Sequence, residues 1–346
     1  MKAQTSPPDR PGRRTRLWTS LLGVAISAGL LALILRQVDL AEVRRHLAAA
    51  RPWPLIATVA LATLTFPLRT IRWRFLLRRQ DGSTYPLAPL WHATAMGFMA
   101  NNVLPLRAGE LVRPFAIARI TDARFTTALA SIAVERIFDA LTIVLLLTLA
   151  LASAGLSPDI AVGGVKVSRM AGIAAALSGA ALVAGALVVA RPLAAERLVR
   201  RVIPSARLAN RVVALIEGVR QGLAALDTPR RLLPVIFWSL VLWMVNAASF
   251  WVGFAAFDIG VGFAGALLVQ GLLVFGVSVP STPGYVGPFE AAIVAGLALY
   301  GVSEDRSFSY ALAYHVTTFL PIVLLGMWSA IRTGLGFGGL RRATAE

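Results

Sequence analysis

Two polar stretches broken by proline and glycine interrupt otherwise apolar sequence, and they share a skeleton. Met99–Phe115 reads MANNVLPLRAGELVRPF and Val277–Glu290 reads VSVPSTPGYVGPFE. The first runs Pro105-x-x-x-Gly109 and then Pro114-Phe115; the second runs Pro280-x-x-x-Gly284 and then Pro288-Phe289. In a bilayer, backbone amides and carbonyls that face lipid unpaired are too costly to keep. Irregular chain survives there only where protein buries it or water reaches it. A matching pair of interrupted apolar segments, one in each half, points to a transporter-like site between two inverted repeats.

The rest of the chain makes a bilayer the fitting solvent. Of 346 residues, 57% are hydrophobic and 15% charged, where soluble domains carry roughly 45–50% and about 25%. The net charge of +17 sits in short basic clusters between apolar runs, the pattern of cytoplasmic loops and contacts with anionic lipid. The basic stripe of a soluble nucleic-acid binder is missing, so no nucleic-acid partner is expected. With no cysteine, disulfides, thiolate metal sites and cysteine nucleophiles are excluded. His46, His92 and His315 are too scattered for a metal cluster, and neither metal nor cofactor is expected.

Candidate full spans are Trp18–Leu35, Trp53–Leu68, Phe125–Leu151, Met170–Ala190, Leu232–Phe257 and Tyr310–Ile331, most of them near the ~20 residues that cross a ~30 Å hydrocarbon core. The first is read as uncleaved, because Arg36-Gln37-Val38-Asp39 offers no signal-peptidase site. Basic residues gather in the N-terminal tail, after the second span (Arg69, Arg72, Arg74, Arg78, Arg79) and in the connection 191–231, whereas Glu304-Asp305-Arg306 is acidic. These counts obey the positive-inside rule if each broken stretch is a re-entrant hairpin, the first entering from the cytoplasm and the second from outside. The expected fold is an all-α polytopic membrane protein, with about six transmembrane helices plus two opposed re-entrant helical hairpins forming an inverted pair. Its expected layout is a disordered basic cytoplasmic tail over 1–17, one transporter-like transmembrane domain over 18–331 and a cytoplasmic tail over 332–346. The hairpins fall at about 87–119 and 263–302, and a cytoplasmic amphipathic connection at 191–231. Val38–Ala50 reads as a short interfacial amphipathic helix.

Asn101, Asn102, Arg107, Glu110 and Arg113 crowd the first hairpin. Ionisable groups inside a bilayer need partners or water, at about 2.5–3.5 kcal/mol each even on lenient insertion scales. Glu110 and Arg113, i,i+3 neighbours on a half-helix starting at Gly109, can form a local ion pair; the plainer alternative is a solvated cytoplasmic loop. In the third span Glu135 and Asp139 share a face one turn apart, with Arg136 beside them. Arg107 or Arg113 are their natural counter-ions. A structural ion-pair network stands here against a polar cavity that handles a charged headgroup or a coupling proton. The second hairpin offers Ser281, Thr282, Tyr285 and Glu290, and a half-helix from Pro288 would aim a positive N-terminal end suited to phosphate. A Pro-kinked helix is the plainer alternative there. His315, with Tyr314, Thr317 and Thr318 beside it, either lines the same cavity or is a satisfied interhelical histidine. P-loop, dinucleotide and hydrolase motifs are missing, so no enzyme is expected.

Four stretches carry a family resemblance: Arg69-Thr70-Ile71-Arg72-Trp73-Arg74, Asn102 through Glu110, Glu135-Arg136-Ile137-Phe138-Asp139, and Pro283 through Glu290. In order and spacing the chain resembles the transmembrane-region family of lysylphosphatidylglycerol synthases, also called flippase-like integral membrane proteins, from about residue 15 to 335. The resemblance implies a domain that moves amphipathic lipids between leaflets, with two re-entrant hairpins around a central cavity. In bifunctional members a soluble aminoacyl-transferase domain follows; none precedes Glu346 here, so lysyl-phosphatidylglycerol synthesis is not expected of this chain. The expected function is translocation of an amphipathic phospholipid or lipid-linked substrate. Arg107, Arg113 and Arg136 would receive an anionic headgroup, and Glu110, Glu135, Asp139 and Glu290 would balance charge. Expected partners are membrane lipids: anionic or aminoacylated phospholipid, or a lipid-linked intermediate. The expected location is a bacterial or archaeal inner membrane, with both termini cytoplasmic. A homo-oligomer and a separately encoded synthase stay open as partners. Two rival functions stay open as well. One is a scaffold or accessory subunit of a separate lipid-modifying enzyme or glycosyltransferase. The other is an intramembrane enzyme on a lipid-linked phosphate or sugar, using Glu135 and Asp139 as acid and base.

Overall fold

The computed structural model describes residues 28–79, 81–104, 109–153, 228–278 and 282–335, with short pieces between 161 and 213. Its helices are α1 (Leu40–Ala49), α2 (Pro52–Leu76), α3 (Leu87–Val103), α4 (Gly109–Ile120), α5 (Phe125–Ser153), α6 (Pro192–Val202), α7 (Pro229–Ala255), α8 (Phe263–Gly276), α9 (Pro288–Ala298) and α10 (Glu304–Thr333). A two-residue antiparallel ladder, Ala161–Val162 with Val165–Lys166, is the one sheet pairing of elements among the described residues. Helices α2, α7 and α10 are long and apolar enough to cross a bilayer. The 29-residue α5 is of similar length but carries Glu135, Arg136 and Asp139 in its middle. The molecule is an all-α membrane protein. The expected span Met170–Ala190 and tail 1–17 fall outside the described residues, apart from residue 176.

Helix α2 corrects the sequence reading. From sequence, Arg69 and Arg72 belong to a basic loop after a span ending at Leu68, yet the helix runs on to Leu76. Both arginines are buried, Arg72 completely. Only Arg74, Arg78 and Arg79 of that group lie at or beyond its last turn. A run of apolar residues ends at the first charge, but a helix inside a bundle does not have to.

The two broken stretches form helical hairpins. Helices α3 and α4 have 17 and 12 residues, and α8 and α9 have 14 and 11. At 1.5 Å per residue these arms are roughly 17–26 Å long, shorter than a ~30 Å hydrocarbon core. Glycine lets the arms close up. A methyl on Gly109 would collide with the Gly97 carbonyl, and one on Gly97 would lie 2.8 Å from Arg113 Cβ. In the second hairpin a methyl on Gly276 would lie 2.9 Å from Ala292 Cβ, and one on Gly296 2.9 Å from Val269 Cγ2. This is the small-residue packing that helices use where burial gives no driving force.

Helix α10 shows that the hairpins are opposed. Its N-terminal half packs on the second hairpin: Phe289 stacks on His315 at 4.0 Å, and Tyr314 joins the same apolar cluster as Ile293 and Leu297. Its C-terminal half packs on the first. Gly326 sits against Met99 and the Ala95 carbonyl, and His92 Nδ1 lies 3.1 Å from Ser329 Oγ. The tips meet between these zones, where a Cβ on Gly284 would be 3.2 Å from Phe319 and 3.7 Å from the Asn102 carbonyl oxygen. The second tip is a single 3-10 turn, Pro283–Tyr285. It places Gly284 (φ 77°), Tyr285 (φ 60°) and Gly287 (φ 97°) in left-handed backbone, which for Tyr285 is a strained conformation.

The expected amphipathic helix at Val38–Ala50 is α1. Asp39 accepts the Ala41 N–H at 2.8 Å as its N-cap, and the Asp39 N–H donates to Asp305 Oδ1 at 2.7 Å. Val43 shares a buried cluster with Ile34, Val38 and Phe308, so α1 is fastened to the start of α10.

Candidate functional site

A charged cluster lies where α2, α4, α5 and α7 converge. Asp139 on α5 accepts from Arg72 Nη1 at 2.6 Å and from the Trp243 indole N–H at 2.9 Å. Arg72 also donates to Ser239 Oγ at 3.1 Å. Glu135, one turn earlier, receives Arg113 at 2.9 Å, Arg72 at 3.1 Å and Arg136 at 3.1 Å. Arg136 also reaches Asp139 at 3.2 Å. Behind these pairs the Arg113 guanidinium rests 3.9 Å over the Trp73 ring, whose N–H donates to Ser131 Oγ at 2.9 Å. Charges desolvated this way are tolerable only with close, hydrogen-bonded partners. The two carboxylates of α5 supply them to three helices at once.

Beside the cluster is a cavity of about 440 Å³ between the two hairpin tips, α5 and α7. Asn101, Asn102, Glu110, Arg136, Asp139, Ser278 and Tyr285 give it a polar side. Ile143, Val144, Val274 and Phe275 give it an apolar side between α5 and α8, where Phe275 is 53% exposed. Amphipathic lining of this kind fits a ligand with one polar and one apolar end.

The second buried polar pair is separate. Glu290 Oε1 lies 2.6 Å from His315 Nδ1, while Oε2 accepts the Gly287 N–H at 2.7 Å. The carboxylate thus caps α9 from within, filling the anion-attracting helix end that was expected to face the cavity. Tyr314 hydrogen-bonds Ser249 Oγ at 2.6 Å, and Thr317 and Thr318 bond back to their own helix at 2.6 Å.

Of the sequence-derived site residues, Asn102, Glu110, Arg136, Asp139 and Tyr285 line one cavity. Arg113 and Glu135 stand behind it in the ion-pair network. Glu290 and His315 form the second pair, and Thr282 Oγ1 donates to the Val286 carbonyl at 3.4 Å in the exposed tip. Arg107 and Ser281 lie outside the described residues. Of the two partners the sequence offers Arg113, the structure gives it Glu135 on α5 at 2.9 Å, and Glu110 makes no ion pair with a described residue. Sequence reasoning missed Arg72, Trp73, Ser239 and Trp243. The available signal was the spacing of Arg69, Arg72 and Trp73, which continues the helical face of α2 beyond Leu68. Among the described residues no cluster of His, Asp or Glu could hold a metal ion.

A 131-residue stretch is 34% identical to a glycosyltransferase, AglD of Haloferax volcanii, and covers 38% of this chain but 21% of that protein. The chain therefore spans about a fifth of the length of this relative. The model of a family described as the lysylphosphatidylglycerol synthase TM region matches residues 20–326. With that match extending from before α1 to the last turns of α10, the chain belongs to the lysylphosphatidylglycerol synthase transmembrane-region family.

Proposed function

We propose that this protein moves a phosphate-bearing lipid, or a lipid-linked substrate, between leaflets through the cavity at the hairpin tips. The observation that carries the reading is the cavity itself: about 440 Å³, set between opposed half-length hairpins, polar toward Arg136 and Asp139 and apolar toward Phe275. A headgroup can sit among the polar groups while acyl chains stay in the bilayer beyond Ile143 and Val274. Midplane sites between inverted elements are how alternating access is built. Orientation follows from charge. At the first hairpin's end of the bundle lie Arg74, Arg78, Arg79, Arg119, Arg124, Arg230, Arg231 and Arg332, against Asp81 and Asp122. At the other end Arg36, Arg44, Arg45, Arg51 and Arg306 are balanced by Asp39, Glu42, Asp258, Glu304 and Asp305. The positive-inside rule therefore makes the first hairpin's side cytoplasmic in a cell membrane, with the chain after α10 on that side. The test is leaflet exchange of headgroup-labelled lipids in proteoliposomes. Exchange of a phosphate-bearing class supports the reading; exchange no faster than in empty liposomes for every lipid opposes it.

A second reading has one observation in its favour, the partial match to a glycosyltransferase. In it the protein is the membrane partner of an enzyme that acts on a lipid-linked sugar. Co-purification of such an enzyme, with no exchange by the protein alone, would favour this reading.

A further inference from the structure

Among the described residues, Arg69 is the one guanidinium at the cluster that forms no ion pair with its carboxylates. It is 8% exposed. Among the described residues it makes neither ion pair nor hydrogen bond, whereas Arg72, Arg113 and Arg136 each reach Glu135 or Asp139. Its neighbours are two rings: the guanidinium carbon lies 4.8 Å from the centre of Phe98 and 5.5 Å from that of Trp243. Both rings line the cavity, and Trp243 is held by its hydrogen bond to Asp139. Aromatic contact attracts a guanidinium through its face and leaves the in-plane N–H donors unused. A buried cation with no carboxylate in direct contact is unfavourable in a bundle that lies in a bilayer. An anion arriving in the cavity would relieve that cost.

We infer that Arg69, which stands behind the cavity-lining rings of Phe98 and Trp243, is the phosphate-binding residue, its guanidinium edge donating to two phosphate oxygens of a ligand admitted past those rings. The inference rests on the reading of the cavity as a headgroup site and shifts the contact away from Arg113 and Arg136, whose charges Glu135 and Asp139 already neutralise. The bidentate fork favours phosphate over a neutral sugar headgroup. Arg72, Arg113 and Arg136 then act as positioning residues.

The test measures binding rather than transport. Purified protein in detergent is titrated with phosphatidylglycerol, with galactosyl-diacylglycerol, which has no phosphate, and with inorganic phosphate. Wild type, Arg69→Met and Arg69→Lys are compared, and melting is followed for each. The expected result is a wild-type preference for the phosphate ligand of about tenfold or more, lost in Arg69→Met and partly kept in Arg69→Lys. Arg69→Met should melt no lower than wild type, because it removes an unpaired buried charge. Displacement of lipid by inorganic phosphate would name the free anion as the source; failure to displace it would name the lipid headgroup. A preference that survives Arg69→Met, or is absent in wild type, overturns the inference. So does a loss that comes only with a lowered melting temperature, which marks a structural role. Phosphate preference through Arg69 without leaflet exchange would leave this inference standing and remove the transport reading.

Discussion

The two hairpins share a skeleton and a packing device but not an anchor. In both, glycines bring the arms together, at Gly97 and Gly109 in the first and at Gly276 and Gly296 in the second. The first hairpin is then wired into the bundle by charge, with buried Arg113 reaching buried Glu135 at 2.9 Å. The second keeps its charge at home. Glu290 caps the hairpin's own helix and pairs with one histidine on α10, and its tip holds left-handed backbone at Tyr285. Displacing the first hairpin separates buried ions, whereas displacing the second separates one carboxylate–histidine pair and stacked rings, its cap moving with it. The second hairpin is therefore the cheaper one to move around a fixed site.

The strongest way to break this comparison is Glu135→Ala. It strands Arg113 in the interior, leaves Arg72 to Asp139 alone and should cost about 3–5 kcal/mol, read as a large fall in melting temperature or loss of folded protein. A near-wild-type melt would mean that the first hairpin is not anchored by charge. Gly109→Ala comes next, since its methyl meets rigid backbone at Gly97; it should destabilise by roughly 1–3 kcal/mol. Glu290→Gln retains an acceptor for the Gly287 N–H and should cost about 1 kcal/mol, in the range of helix caps. A cost as large as that of Glu135→Ala would erase the difference between the hairpins. Gly296→Ala should cost least, because alanine's gain in helix propensity of about 1 kcal/mol offsets part of the clash with Val269, whose Cγ2 lies 2.9 Å and Cα 3.3 Å from the added methyl.

The sequence disclosed the hairpins better than the cluster. Pro105, Gly109, Pro280 and Gly284 break apolar runs visibly, and the hairpin bounds from sequence fall close to α3–α4 and α8–α9. Glu135 and Asp139 are conspicuous because acids are rare in a 29-residue apolar helix. Arg69 and Arg72 were hidden by their position: arginines beside a span end are usually solvated flanks. What buries them is the arrival of Asp139 and Trp243 from helices that local sequence does not link to α2. Arg113 is legible with two partners, the i,i+3 acid Glu110 on its own helix and the acids of α5; the carboxylate of Glu135 across the helix interface is the one it meets.

The most direct test of the transport reading is leaflet exchange in proteoliposomes, comparing wild type with Ala140→Trp. Ala140 lines the cavity from α5 and makes no ion pair, so the indole fills the space beside Arg136 and Asp139 without removing a charge. Exchange of a phosphate-bearing lipid by wild type, with strong loss in a folded Ala140→Trp protein, is the predicted result. Equal exchange by both proteins, or exchange by neither, would contradict the account.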